Sequence, residues 1–152
     1  ATKLCKKRFA EFSDSAEFRP GAYAIACSKI KIGKRVVIRP GSMLFADPRE
    51  NGAGIIVEDD VLLGSGVHLY VADHEFKSPD IPIINQGHSR SESIILRKGC
   101  WIGANVIILK GVTVGTNAVI GAGSIVTKSI PDTTLAAGNP CRIIRTIGTC
   151  NS

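Results

Sequence analysis

Three histidines, His68, His74 and His88, are the only side chains here that ordinarily titrate close to neutral pH. A reaction that strips a proton from a hydroxyl or amine is served most simply by such a group. His74 follows Leu69-Tyr-Val-Ala-Asp, where a regular pattern gives way to a long irregular stretch. A loop mouth above a groove suits a general base, and a surface histidine is the plainer alternative. His88 stands in Asn85-Gln-Gly-His-Ser, a polar segment whose Asn85 and His88 are candidate substrate contacts or simply solvated. His68 ends a regular segment and reads as a surface residue.

The cysteines offer less. Cys5, Cys27, Cys100, Cys141 and Cys150 are odd in number and form no CxxC pair, which predicts reduced thiols in a cytosolic protein. Cys100 reads more readily as a small buried hydrophobe than as a nucleophile.

The elements that must position these groups follow a period of six. From Leu96 to Pro131 the chain reads Leu96-Arg-Lys-Gly-Cys-Trp, Ile102-Gly-Ala-Asn-Val-Ile, Ile108-Leu-Lys-Gly-Val-Thr, Val114-Gly-Thr-Asn-Ala-Val, Ile120-Gly-Ala-Gly-Ser-Ile and Val126-Thr-Lys-Ser-Ile-Pro. An aliphatic residue opens each hexad, and a compact one takes the fifth place. Neither a helix of period 3.6 nor a strand of period 2 holds such a register. A parallel β-solenoid does: each short strand ends in a turn, and coils stack at about 4.8 Å so that backbone groups pair between them. The leading aliphatics then point inward, with glycines at the corners.

The same pattern extends upstream in a looser form. It begins at Phe18, slips by two residues before Ile32 and continues through Ile38 and Leu44. A polar excursion follows at Asp47-Pro-Arg-Glu-Asn-Gly-Ala-Gly54, after which Val57, Leu63 and Leu69 resume the pattern. This predicts a tail or short helix over 1–17, a β-helix domain over 18–139 with a loop at about 70–93, and a capping segment over 140–152. Pro140 and the apolar-basic run after it suggest a short closing helix. At 152 residues this is one domain. Hydrophobic residues make up 44% but aromatics only 5%, which suits a narrow aliphatic core. No apolar run of about 18 residues exists, so no integral membrane segment is expected, and no signal-peptide core is seen. Lys and Arg outnumber Asp and Glu by 19 to 13, which favours an anionic partner or simply solubility. No nucleic-acid partner is indicated.

From Phe18 to Arg145 the chain resembles the hexapeptide-repeat acyltransferases, in particular their galactoside, maltose and nodulation-type O-acetyltransferase branch. The segments that carry the resemblance are Val57-Glu-Asp-Asp-Val with Asp73-His74, Cys100-Trp-Ile-Gly-Ala-Asn-Val106, Gly121-Ala-Gly-Ser-Ile-Val-Thr-Lys128 and Ala137-Gly-Asn-Pro-Cys-Arg-Ile-Ile-Arg145. The resemblance implies an all-β, left-handed parallel β-helix, a homotrimer with its active site between neighbouring prisms, and His74 as the catalytic base. It implies that Trp101 borders the cleft, where a corner packing role is the alternative. It also implies acetyl-CoA contacts along Gly103-Ala104 and Gly121-Ala122 by main-chain groups, and at Thr127, Lys128, Arg142 and Arg145. Small residues suit a pantetheine arm and cations suit phosphates. Without the resemblance, the same cations would read as a solvated face.

The expected function is therefore a cytoplasmic, CoA-dependent O-acetyltransferase modifying a hydroxyl of a sugar, glycan or polysaccharide, with no metal. Acceptor contacts are not carried over, because Gly52-Ala-Gly54 stands where a polar side chain is wanted. One rival is a metalloenzyme similar to γ-type carbonic anhydrases, although the three histidines are spaced unlike that family's ligands. Another is a non-catalytic glycan-binding solenoid.

Overall fold

The computed structural model describes residues 6–148; Cys5, Cys150 and the outer ends of the predicted terminal segments lie outside the described residues. The chain winds into stacked coils of short strands. The first coil carries β1 (Glu11–Phe12), β2 (Glu17–Phe18) and β3 (Tyr23–Ile25), and the second β4 (Ile30–Ile32), β5 (Val37–Ile38) and β6 (Met43–Phe45). The third holds β7 (Ile55–Val57), β8 (Leu62–Leu63) and β9 (His68–Tyr70), and the fourth β10 (Ile94–Leu96), β11 (Trp101–Ile102) and β12 (Ile107–Ile108). The fifth has β13 (Thr113–Val114), β14 (Val119–Ile120) and β15 (Ile125–Val126); β16 (Thr134–Gly138) and β17 (Cys141–Thr146) close the stack.

Three sheets form the sides of the prism. The first runs β1-β4-β7-β10-β13, the second β2-β5-β8-β11-β14-β16-β17, and the third β3-β6-β9-β12-β15. Their register puts like residues on top of one another. Ile38, Leu63, Ile102, Ile120 and Ala136 form one inner column, and Leu44, Leu69, Ile108 and Val126 another. These positions are completely buried, as are the fifth-place residues Cys100, Val106, Ala118 and Ser124. The hexad signal and the core thus coincide. Burial pushes the Cys100 thiol up to about 12, so it stays neutral and inert. Ser124 is satisfied by the Gly121 carbonyl and the Gly138 N–H.

Corner chemistry follows the hexad as well. The fourth-place residues Gly99, Asn105, Gly111, Asn117 and Gly123 all adopt left-handed φ values, which glycine and asparagine tolerate. Gly103 is required for a different reason. A Cβ there would come within 2.6 Å of the Ala122 nitrogen in the coil above. The acids of Val57-Glu-Asp-Asp knit coils together: Glu58 binds Arg97 and the Lys98 N–H, Asp59 the Lys34 N–H, and Asp60 chelates Arg35.

Both ends differ from the expectation. Regular stacking starts at β1, where Phe12 pairs with Ile32, rather than at Phe18. Phe9 packs edge-on against Phe12 and Phe18 and covers the open end of the core. Aromatic residues do there what aliphatic columns do elsewhere, which hides the first coil from a six-residue pattern. At the other end, residues 140–146 form no helix. After the cis Asn139–Pro140 bond, β17 folds back antiparallel on β16. Ile143, Ile144 and Thr146 are β-branched and suit a strand, and pairing covers the edge of β16, which a helix would leave open.

Candidate active site

Two loops interrupt the coils at the same corner, between the third sheet and the first. Residues 46–54 leave the second coil and residues 71–93 leave the third, so the two insertions lie side by side. A pocket of about 300 Å³ opens between them, walled by Phe45, Asp47, Arg49, Tyr70, His74 and His88 among others. Phe45 and Tyr70 occupy matched positions on β6 and β9, and their rings stack at 4.9 Å. The Tyr70 hydroxyl is 3.1 Å from Nδ1 of His68, which fixes His68 on the third sheet, away from the histidine pair of the loop.

The shorter loop is held by a buried carboxylate. Asp47 receives a forked pair of hydrogen bonds from Arg49 Nε and Nη2 at 2.9 and 2.6 Å. Arg49 thereby holds the Asp47 carboxyl far below its ordinary value, against the opposing pull of burial. Gly52 packs over this pair, where a Cβ would strike the carboxyl carbon. Arg49 also donates to the Ser89 carbonyl, and Ser91 Oγ accepts from the Ala53 N–H, so the two loops are clasped together.

The longer loop has a stem of two antiparallel arms. Glu75 N–H donates to the Gly87 carbonyl and Ser89 N–H to the Asp73 carbonyl, each at 3.0 Å. His74 and His88 lie between these bonds as directly opposed residues. A pair without its own hydrogen bonds brings side chains closest together. Their rings accordingly face each other at 4.5 Å with a 32° tilt. Lys110, from the next coil, meets Asp73 at 2.6 Å and Ser89 Oγ at 2.5 Å. Burial pulls Asp73 upward, but Lys110 and Ser89 outweigh it and hold the carboxyl below its usual value. At the tip, Gln86 bonds to the Ser78 N–H and to the Ser78 and Ile81 carbonyls.

The other expected site residues fall elsewhere. Trp101 is half exposed on the outer face of the second sheet, between Leu62 and Val119. Gly103, Ala104, Gly121 and Ala122 form the edge where the second sheet turns into the third, a ledge with open space above Gly123. Thr127 and Lys128 follow β15 and are exposed, and Arg142 and Arg145 are exposed on β17. None of these lines the histidine pocket, and Asn85, on the 3-10 turn Ile83–Asn85, does not line it either. Among the described residues, no group of three or more His, Cys, Asp or Glu is arranged to hold a metal. Sequence reasoning passed over Phe45, Asp47, Arg49, Tyr70 and Lys110. The polar excursion at Asp47–Gly54 signalled Asp47 and Arg49 alone, and nothing in it said which other loop it would meet.

Residues 93–128 match the bacterial transferase hexapeptide (six repeats) family. The chain is 37% identical over 144 residues to the galactoside O-acetyltransferase of Escherichia coli K12, covering 95% of the chain and 67% of the relative. It superposes on a galactoside acetyltransferase in complex with coenzyme A at a TM-score of 0.85 and 35% identity, covering 97% of this chain and 70% of that one. A hexapeptide-repeat acetyltransferase of Vibrio cholerae O1 biovar eltor, complexed with acetyl coenzyme A, gives 0.84 and 28%, covering 97% and 76%.

Proposed function

We propose, from the premise that this chain belongs to the hexapeptide-repeat transferase family and is a left-handed β-helix acyltransferase, that it moves an acetyl group from acetyl-CoA to a hydroxyl of a sugar or glycan, with His74 as general base. The observation that carries this reading is the position of His74. Its ring lines an open pocket at a loop mouth whose stem is anchored to the β-helix through Asp73 and Lys110. The related acetyltransferases bind coenzyme A or acetyl-CoA, and this chain's ledge fits such a donor. The exposed Ala122 and the glycines around it leave room for a thin pantetheine arm, while Lys128, Arg142 and Arg145 offer exposed charge to phosphates.

In the reaction, His74 takes the proton of the acceptor hydroxyl as its oxygen attacks the thioester carbonyl, and CoA leaves as the thiolate. Phe45 and Tyr70 wall the acceptor pocket with apolar ring faces suited to the carbon skeleton of a pyranose. The pocket and the donor ledge lie on different edges of one prism. The site is therefore completed by a neighbouring copy, in a trimer that packs one chain's loop against the next chain's Trp101. The free thiols Cys100 and Cys141 and a thioester co-substrate fit a cytoplasmic setting. Among the described residues, no helix is long and apolar enough to cross a membrane.

His74→Ala is expected to lower acetyl transfer by about 10² to 10⁴, the usual contribution of a general base, with folding and CoA binding retained. A thiol-release assay with acetyl-CoA over a panel of sugars and glycan fragments measures this. Retention of more than about a tenth of wild-type turnover would falsify the role.

A further inference from the structure

The base proposed above lacks the partner that a catalytic histidine ordinarily has. A general base is usually oriented by a third group, most often a carboxylate on its second nitrogen. Here the nearby acids are already taken. Asp47 is chelated by Arg49, Asp73 by Lys110 and Ser89, and Glu75 by Lys77. Among the described residues, neither imidazole of the stem hydrogen-bonds a carboxylate. The ring that does meet His74 is His88, across the strand pair.

We propose that His88 is a positioning residue for acetyl transfer, its ring stacked on His74 to set the ring of the base and to favour the imidazolium formed when the base takes the acceptor's proton. This rests on the reading of His74 as the base. The geometry supplies both effects. A flat ring at 4.5 Å restricts rotation of its neighbour. The π face of a neutral aromatic ring also attracts an adjacent cation. The backbone enforces the contact, because the hydrogen bonds on either side of the pair fix the two arms in register.

The same arrangement makes a positive charge at position 88 harmful. A cation there would stand against His74 and oppose proton abstraction. The groups that face the pair would not offset it, because Arg49 and Lys110 are cations already matched by Asp47 and Asp73.

Three variants test this in the assembled protein. His88→Ala, which removes the ring, is expected to lower kcat about tenfold, with KM for acetyl-CoA within about twofold. His88→Phe keeps a flat ring that takes up no proton. It is expected to recover kcat to within about threefold of wild type, with KM for acetyl-CoA again within about twofold. His88→Lys, with a fixed cation, is expected to be at least as impaired as His88→Ala. Thermal midpoints and oligomeric state are recorded for each, so that a folding defect is recognised; the Phe variant keeps the test alive if Ala unfolds the stem. An unchanged kcat in His88→Ala, a loss confined to acceptor KM, or a kcat in His88→Phe no higher than in His88→Ala would each overturn the proposal. An active His74→Ala chain would instead overturn the reading beneath it.

Discussion

The clasp between the two loops depends on the charge of one residue. Asp47 is almost fully buried, and the Arg49 fork keeps it ionised. Its folded value lies below its unfolded one, so the stability it contributes is complete above about pH 4 and is lost as the pH falls below that. Hydrogen exchange corrected for intrinsic rates is expected to show protection of the Ala53 amide falling on acidification, since that amide is held across the clasp by Ser91. Asp47→Asn keeps the shape and removes the charge. Its loops are expected to open about tenfold more often at pH 7, consistent with losing a charged hydrogen bond whose partner is half exposed, and to lose most of the pH response. Equal acid sensitivity in the variant would assign the effect to another carboxylate. His74 and His88 share this pocket, so loop closure and acetyl transfer are expected to fall together.

At the level of the coil, glycine spacing limits how closely elements stack. The main chain of Gly103 lies under Ala122, and an added Cβ would also come within 2.8 Å of the Ile120 carbonyl. Both obstacles are backbone, so the coils must part for a methyl group to enter. Gly103→Ala is therefore expected to destabilise the protein by about 1–3 kcal/mol, the range for overpacking, read from the urea midpoint at unchanged slope. A loss below about 0.5 kcal/mol would show that the two coils separate freely. The second and third places of this hexad matter for function too, because Gly103 and Ala104 make the ledge where the donor is expected. A residue pattern that stacks the core thus also shapes a surface.

The outer faces of the prism differ, and the difference bears on assembly. The outer row of the first sheet carries Glu11, Lys31, Ile56, Ile95 and Thr113. That of the second runs Glu17, Val37, Leu62, Trp101, Val119, Leu135 and Arg145, an apolar stripe between two charged ends. The tip of the long loop is apolar as well, with Phe76 73% and Ile84 82% exposed. A stripe and a tip on different sides of one chain suit a closed ring, in which each copy's loop covers its neighbour's stripe. Sedimentation is expected to give a trimer. Refolding an equal mixture of His74→Ala chains and chains blocked at the ledge by Ala104→Trp is expected to restore about a quarter of wild-type activity, because each site draws its base and its ledge from different copies. No restored activity, or a fully active monomer, would place the whole site in one chain.

The sequence alone determined the architecture and most of the core, for a physical reason. In a β-helix every coil repeats the same burial problem, so Leu96, Ile102, Ile108, Val114, Ile120 and Val126 announce their own stacking. It also located the two interruptions and the histidine at the mouth of the longer one. Tertiary structure decided what those interruptions meet. That residues 46–54 and 71–93 share a corner depends on the number of coil positions between them, and the Asp47–Arg49 clasp and the His74–His88 stack exist only once the arms are in register. The ends escaped the pattern because end coils have one neighbour: Phe9 and β17 serve as caps, and capping carries no period.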